Sequence, residues 1–364
     1  MLSATQPHSR SYEHASLRSG TILALLIFFA VPTVSAAVPE HKRAELFISD
    51  KMRQTALGQK LFSDTSLSVD NKVSCATCHQ SDHAFTDGRA TAIGVFGRSG
   101  TRNAPSLLNL SNSLFFWDGR ETDLLALVLL PIFNNVEMGL SGEDELTRRL
   151  RDNPAYRQGF ASAFPDEPKN PSTSQAARAL ETYLRTLSSE PSAYDRFALG
   201  GESNALTPEA QDGLELFRGR AGCSSCHRLD QRPATFTDEA FHPTSVDRTI
   251  APQLPVQAIR LMKEPLTGAA LGNEILGSKT FSELGHFVVT RDPKDIASFR
   301  TPSLRNVAVT APYMHDGSVK SLEEAVDREI YYRALQTNRP NTLTAEERKN
   351  LVAFLQSLTP LPKR

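Results

Sequence analysis

A Cys-x-x-Cys-His run occurs twice in this chain, at Cys75-Ala-Thr-Cys78-His79 and at Cys223-Ser-Ser-Cys226-His227. Two thiols three positions apart can each add across one vinyl group of a single porphyrin. The next histidine then falls under the iron as its proximal ligand. A Cys-x-x-Cys pair alone would also serve a redox disulfide or half of a zinc site. The adjacent His, present both times, and the use of all 4 cysteines weigh for two covalently held c-type haems.

At 364 residues the chain has room for two domains, one per motif. Its net charge of −1 and 40% hydrophobic content are those of an ordinary globular protein, with no bulk charge directed at nucleic acid or a membrane surface. The N-terminus reads differently. Arg10 and Arg18 precede an apolar run from Thr21 to Val31, followed by Val34-Ser35-Ala36. A basic segment, a short apolar segment and a small-x-small site read as a secretory signal cut after Ala36. The run is short for a bilayer span. The expected organisation is therefore a signal at 1–36, an N-terminal haem domain at 37–197 and a C-terminal haem domain at 198–364, in the periplasm.

Helical spacing of Leu46, Met52, Leu57, Leu61 and Phe62 predicts a helix over about 41–64. Gly58-Gln-Lys-Leu61-Phe62 leads into the first motif and Gly213-Leu-Glu-Leu216-Phe217 into the second, an internal repeat that implies two cytochrome c-like helical units. Residues 82–100 read as loop, the apolar run 124–132 as a buried helix interrupted by Pro131, and 141–164 and 174–187 as amphipathic helices. The linker is expected at 198–204. Thr207-Pro208-Glu209 opens a helix, 228–290 reads as loop-rich, and Ser321-x-x-Glu324 and Thr344-x-x-Glu347 match capping boxes for the last two helices. Strand signals are sparse. The class is mainly α.

Taken together, Phe85-Thr-Asp-Gly88, Arg102-Asn-Ala-Pro105, Trp117-Asp-Gly-Arg120, Val136-Glu-Met138, Phe299-Arg-Thr-Pro-Ser-Leu-Arg-Asn306 and Ala311-Pro-Tyr-Met-His-Asp-Gly317, in this order around the two haem motifs, resemble the bacterial di-haem cytochrome c peroxidase family, which includes MauG. The resemblance covers nearly all of the chain after the signal. It implies that the N-terminal haem binds hydrogen peroxide and that the C-terminal haem handles electrons. It also makes Trp117 a bridge between the haems, Glu137 the proton-transfer group of the peroxide pocket, and Pro131 a wall of that pocket. A calcium ion would take Asn103 and the carbonyl oxygens of Thr310 and Pro312.

Read by themselves, these residues allow plainer roles. Trp117 is the only tryptophan, and core packing is the common fate of that side chain, although its indole is easily oxidised and suits electron relay. An arbitrary Glu sits on a surface turn. Glu137, however, stands between Val136 and Met138, and cleavage of a bound peroxide needs a base that moves a proton between its oxygens.

Two departures from the family pattern bear on the irons. Members that close the resting peroxide site do so with a second His from the loop after the first motif. Here that loop offers only His83, too near His79 to reach the opposite face, so the site is expected to be open at rest. The family also places a Met or a Tyr 14 positions after the His of Pro-Tyr-x-His-Asp-Gly, and here that position is Glu329. Tyr331 and Tyr332 follow closely, leaving the distal ligand of the second haem open among the three. Met314 is read as part of its turn, and His242 and His286 as loop or surface residues.

The reading is an exported di-haem peroxidase drawing electrons from a small periplasmic cytochrome or cupredoxin. The alternative is a MauG-like enzyme in which peroxide-derived high-valent iron oxidises side chains of a partner protein. A non-catalytic electron-transfer cytochrome would need no pocket carboxylate. A second copy of the chain is a further candidate partner.

Overall fold

The computed structural model describes residues 40–110, 114–230, 232–244, 249–338, 340, 342–360. The signal-like run and its Ala36 site lie outside the described residues. Residues 44–364 form one compact unit, and of the other, 1–43, only the start of the first helix is described. No helix among the described residues is long and apolar enough to cross a membrane.

Helices dominate, as the spacing predicts. The first half carries α1 (Glu40–Ser63), the single haem-motif turn α2 (Cys75–Cys78), α3 (Leu124–Leu127), α4 (Leu130–Phe133), α5 (Glu143–Asp152), α6 (Pro154–Ala163), α7 (Thr173–Leu184) and α8 (Ala193–Ala198). The second half carries α9 (Pro208–Arg218), α10 (Leu254–Lys263), α11 (Gly268–Gly277), α12 (Lys279–Ser282), α13 (Phe287–Thr290), α14 (Leu322–Thr337) and α15 (Ala345–Gln356). Among the described residues the strands are two three-residue pieces, β1 (Phe241–Pro243) and β2 (Ser298–Arg300), paired antiparallel with His242 opposite Phe299.

The repeated Gly-x-x-Leu-Phe has a packing cause. A Cβ on Gly58 of α1 would stand 2.0 Å from the Ala179 carbonyl oxygen of α7, and one on Gly213 of α9 would stand 1.9 Å from that of Asn350 on α15. Each glycine lets two helix backbones touch, and the Phe four residues on, Phe62 or Phe217, is buried beside the crossing. Around Phe217 the rings of Phe354, Phe236 and Tyr194 meet edge-on or tilted, Phe217 and Phe354 at 5.0 Å between centroids. Each such side chain, fully buried, is worth about 1.5–3 kcal/mol of transfer free energy.

The expected 141–164 helix is in fact two. Asn153 closes α5 and caps α6, accepting a hydrogen bond from Ala155 N, because Pro154 lacks the N–H that a continuous helix would need. Pro131 likewise sits in the first turn of α4 rather than inside one long helix. Thr207 and Thr344 cap as predicted, whereas the Ser321 cap is one-sided: its hydroxyl takes Glu324 N, and Glu324 Oε2 turns to Lys320 N.

The larger correction is at 228–290. This stretch is not mainly loop: it holds α10–α13 and a third apolar cluster, with Leu254, Ala258, Leu261, Ile275, Phe281 and Phe287 all buried. The first cluster gathers around α1 and α7, the second around α9 and α15.

Candidate active site

Both haem motifs are built alike. At the first, His79 Nδ1 donates to the carbonyl oxygen of Phe85 at 2.9 Å; at the second, His227 Nδ1 donates to that of Phe236, also at 2.9 Å. A carbonyl can only accept, so each Nδ1 carries the proton and each Nε2 keeps its lone pair for a metal. Burial lowers both imidazole pKa values and keeps them neutral. The aiming costs backbone strain. Phe85 and Phe236 sit at φ of 60° and 53°, in the left-handed region that non-glycine residues enter at about 1–2 kcal/mol.

Thr and Asp follow each Phe, and Asp87 and Asp238 act on their histidines in the same sense. The second Phe-Thr-Asp, at 236–238, passed unnoticed in the sequence. The signal was its identity to Phe85-Thr86-Asp87.

Burial, aided by the charge of Glu137, pushes Cys75 and Cys78 up to about 12, and burial with the charge of Glu329 does the same to Cys223. Cys223, Cys226 and His227 open on a cavity of about 990 Å³ that also reaches Trp117, Asn103, Thr310 and Pro312. Paired thiols and a neutral imidazole with a free Nε2 suit a porphyrin held by thioether bonds, and at the second motif the volume gives it room. The donor set fits the group.

Glu137 lies just beyond α4. The Pro131 carbonyl accepts from Met138 N at 3.1 Å, the Glu137 carbonyl accepts from Val95 N at 2.9 Å, and Glu137 N donates to Asn134 O at 3.1 Å. These bonds fix the turn and bring Pro131 beside Glu137. Burial raises the Glu137 carboxyl to about 7, with Arg120 pulling weakly the other way.

Trp117 is half-buried. Its Nε1 donates to the carbonyl oxygen of Asn103 at 2.9 Å, while Asn103 N donates to the carbonyl oxygen of His315. Around it runs a buried polar network that the sequence did not disclose. Asp118 pairs with Arg120 at 2.8 Å and with Arg102 at 3.7 Å. Burial first, offset in part by Asp118, puts Arg102 at about 10. Its guanidinium lies over the Phe299 ring, which stacks at 3.7 Å on His315, and His315 Nε2 is 3.0 Å from Glu283 Oε1.

The Asn103 amide Nδ2 donates to the Arg89 carbonyl oxygen at 2.9 Å. Neither Thr310 O nor Pro312 O accepts a hydrogen bond among the described residues.

Of the remaining candidates, His83 is exposed and 3.3 Å from Asp82. His286 is no surface residue: it stacks at 3.4 Å on Phe241 and its Nδ1 donates to the Asp118 carbonyl oxygen. His242 Nε2 lies 2.9 Å from Asp238 Oδ2 and 3.4 Å from Cys226 Sγ. Glu329, Tyr332 and Met314 line the cavity of the second motif; Tyr331 does not and is 59% exposed.

A helical fold with two proximal-histidine sites of this build defines a c-type haem oxidoreductase, and comparison with known proteins agrees. Residues 52–204 match the family described as di-haem cytochrome c peroxidase. The chain is 34% identical over 332 residues to the methylamine utilization protein MauG of Methylorubrum extorquens, covering 88% of this chain and 82% of that one. It is 33% identical over 352 residues to the cytochrome c551 peroxidase of Pseudomonas aeruginosa, covering 92% and 90%. Among solved structures it superposes on a MauG-like protein associated with microbial copper homeostasis with a TM-score of 0.67 and 31% identity, over 85% of this chain and 89% of that one.

This chain belongs to the di-haem cytochrome c peroxidase family. It takes two haems and is an oxidoreductase of the peroxidase type.

Proposed function

We propose that the protein is an exported, periplasmic peroxidase that reduces hydrogen peroxide to water at the His79 haem, with electrons entering by the His227 haem. Glu137 carries this reading: a half-buried carboxyl with its pKa raised to about 7, whose charge acts on both Cys75 and Cys78. When bound, the haems supply an iron that takes peroxide and a route by which two electrons reach it. The Glu137 carboxylate accepts a proton from the inner peroxide oxygen and returns it to the outer one, which leaves as water. With two electrons and two further protons, one peroxide gives two waters. A pKa close to working pH lets one carboxyl accept and then donate, and Pro131 forms the stiff wall beside it.

Trp117 relays electrons between the two sites, its indole held by Asn103. The Asn103 side-chain oxygen and the carbonyls of Thr310 and Pro312 bind calcium, a hard cation suited to such oxygens. They support this by facing one cavity with two carbonyls otherwise unbonded.

The test is steady-state turnover of the exported holoprotein with peroxide and a reduced small c-type cytochrome or cupredoxin. Two donor equivalents oxidised per peroxide is the expected result. Failure with every small donor, together with oxidation of side chains on a partner protein, would replace this reading with a MauG-like one.

A further inference from the structure

We propose that Glu329 supplies the distal ligand of the C-terminal haem iron, a carboxylate oxygen, an assignment that rests on the two-haem reading above. Helix α14 lines the cavity with Leu322, Ala325, Val326, Glu329, Ile330, Tyr332 and Arg333, so Glu329 is the one carboxyl that this wall turns to the cavity of Cys223, Cys226 and His227. It is exposed and lines the cavity. The protein packed around it still desolvates the carboxyl and raises its pKa. Such a group normally finds a partner, yet among the described residues Glu329 makes neither a hydrogen bond nor an ion pair. Arg333, one turn on, does not take it: its Nη2 donates to Cys226 Sγ at 2.6 Å.

Position favours Glu329 over its neighbours. After burial, the Glu329 charge is the largest influence on the Cys223 thiol. The Tyr332 ring reaches the cavity but is packed against Tyr331 at 5.5 Å, with Arg328 5.9 Å above it. Tyr331 stands outside the cavity. His242 Nε2 is held between Asp238 and Cys226, and Met314 sits in a left-handed turn at φ 72°. A ferric iron is the hard, positive partner that an unpaired carboxylate lacks, and an anionic oxygen holds that iron in its oxidised state more firmly than a thioether does.

The experiment compares the full exported protein with Glu329→Gln, Glu329→Met and Tyr332→Phe by haem content, ferric absorption and paramagnetic resonance spectra, and redox titration. Two haems per chain are expected in all four proteins. Glu329→Gln should change the ferric spectrum of one haem only, Glu329→Met should raise the midpoint potential of that haem, and Tyr332→Phe should leave both unchanged. A Glu329→Gln protein with wild-type spectrum and potential overturns the assignment, as does a Tyr332→Phe protein that alters them. A wild-type count of one haem overturns the two-haem reading itself, and this assignment with it.

Discussion

The indole Nε1 of Trp117 donates to the backbone carbonyl oxygen of Asn103 at 2.9 Å. The residue proposed to carry electrons is thus fastened to one proposed to hold calcium. Removing calcium from the holoprotein with a chelator should therefore disturb the tryptophan: its fluorescence should shift and electron transfer between the haems should slow, both reversed by added calcium. Asn103→Ala should give the same loss without rescue. A chelated protein with unchanged fluorescence and transfer rate would separate the two residues.

Glu137→Gln keeps the side chain's shape and removes the base. Peroxide turnover should fall about 10²-fold or more with haem content intact. In the wild type the base must be deprotonated, and burial raises its pKa to about 7. Turnover should consequently rise with pH through that value, and the limb should vanish in Glu137→Gln. A variant within about threefold of wild type would leave Glu137 with a structural role only.

His83, the histidine of the loop after the first motif, is exposed and engaged with Asp82. The fully oxidised holoprotein is accordingly expected to react with peroxide without prior reduction. Stopped-flow mixing of ferric protein with equimolar peroxide should give a spectral change that Trp117→Phe alters or shortens. Reaction only after one-electron reduction would contradict this.

Gly58→Ala and Gly213→Ala each place a methyl about 2 Å from a backbone oxygen of the facing helix. Overpacking of this kind costs about 1–3 kcal/mol. Thermal unfolding of either variant should move to lower temperature, and a midpoint unchanged in both would show that the crossings can part freely.

Much of this protein is written locally. The haem attachment follows from thiols and a histidine in consecutive positions, and the helix starts at Thr207 and Thr344 follow from side chains that reach their own backbone. The resemblance singled out Glu137, and the Gly-x-x-Leu-Phe repeat marked two like helical units, whereas the helix crossings at Gly58 and Gly213 are visible only in the packing.

What the tertiary structure decided is whatever depends on which distant segments meet. The third apolar cluster was missed because its helices are short and broken by glycine, although Leu254, Ala258 and Leu261 keep helical spacing. The carbonyls that orient His79 and His227 come from residues in a strained backbone region that no propensity favours. The Arg102–Phe299 contact and the His286–Asp118 hydrogen bond join residues more than a hundred positions apart. The sequence left Glu329, Tyr331 and Tyr332 equivalent, because they share one helix within a single turn. Only the packing of α14 against the cavity turns the first inward and leaves Tyr331 in solvent, since the side a helix buries is chosen by its neighbours and not by its own spacing.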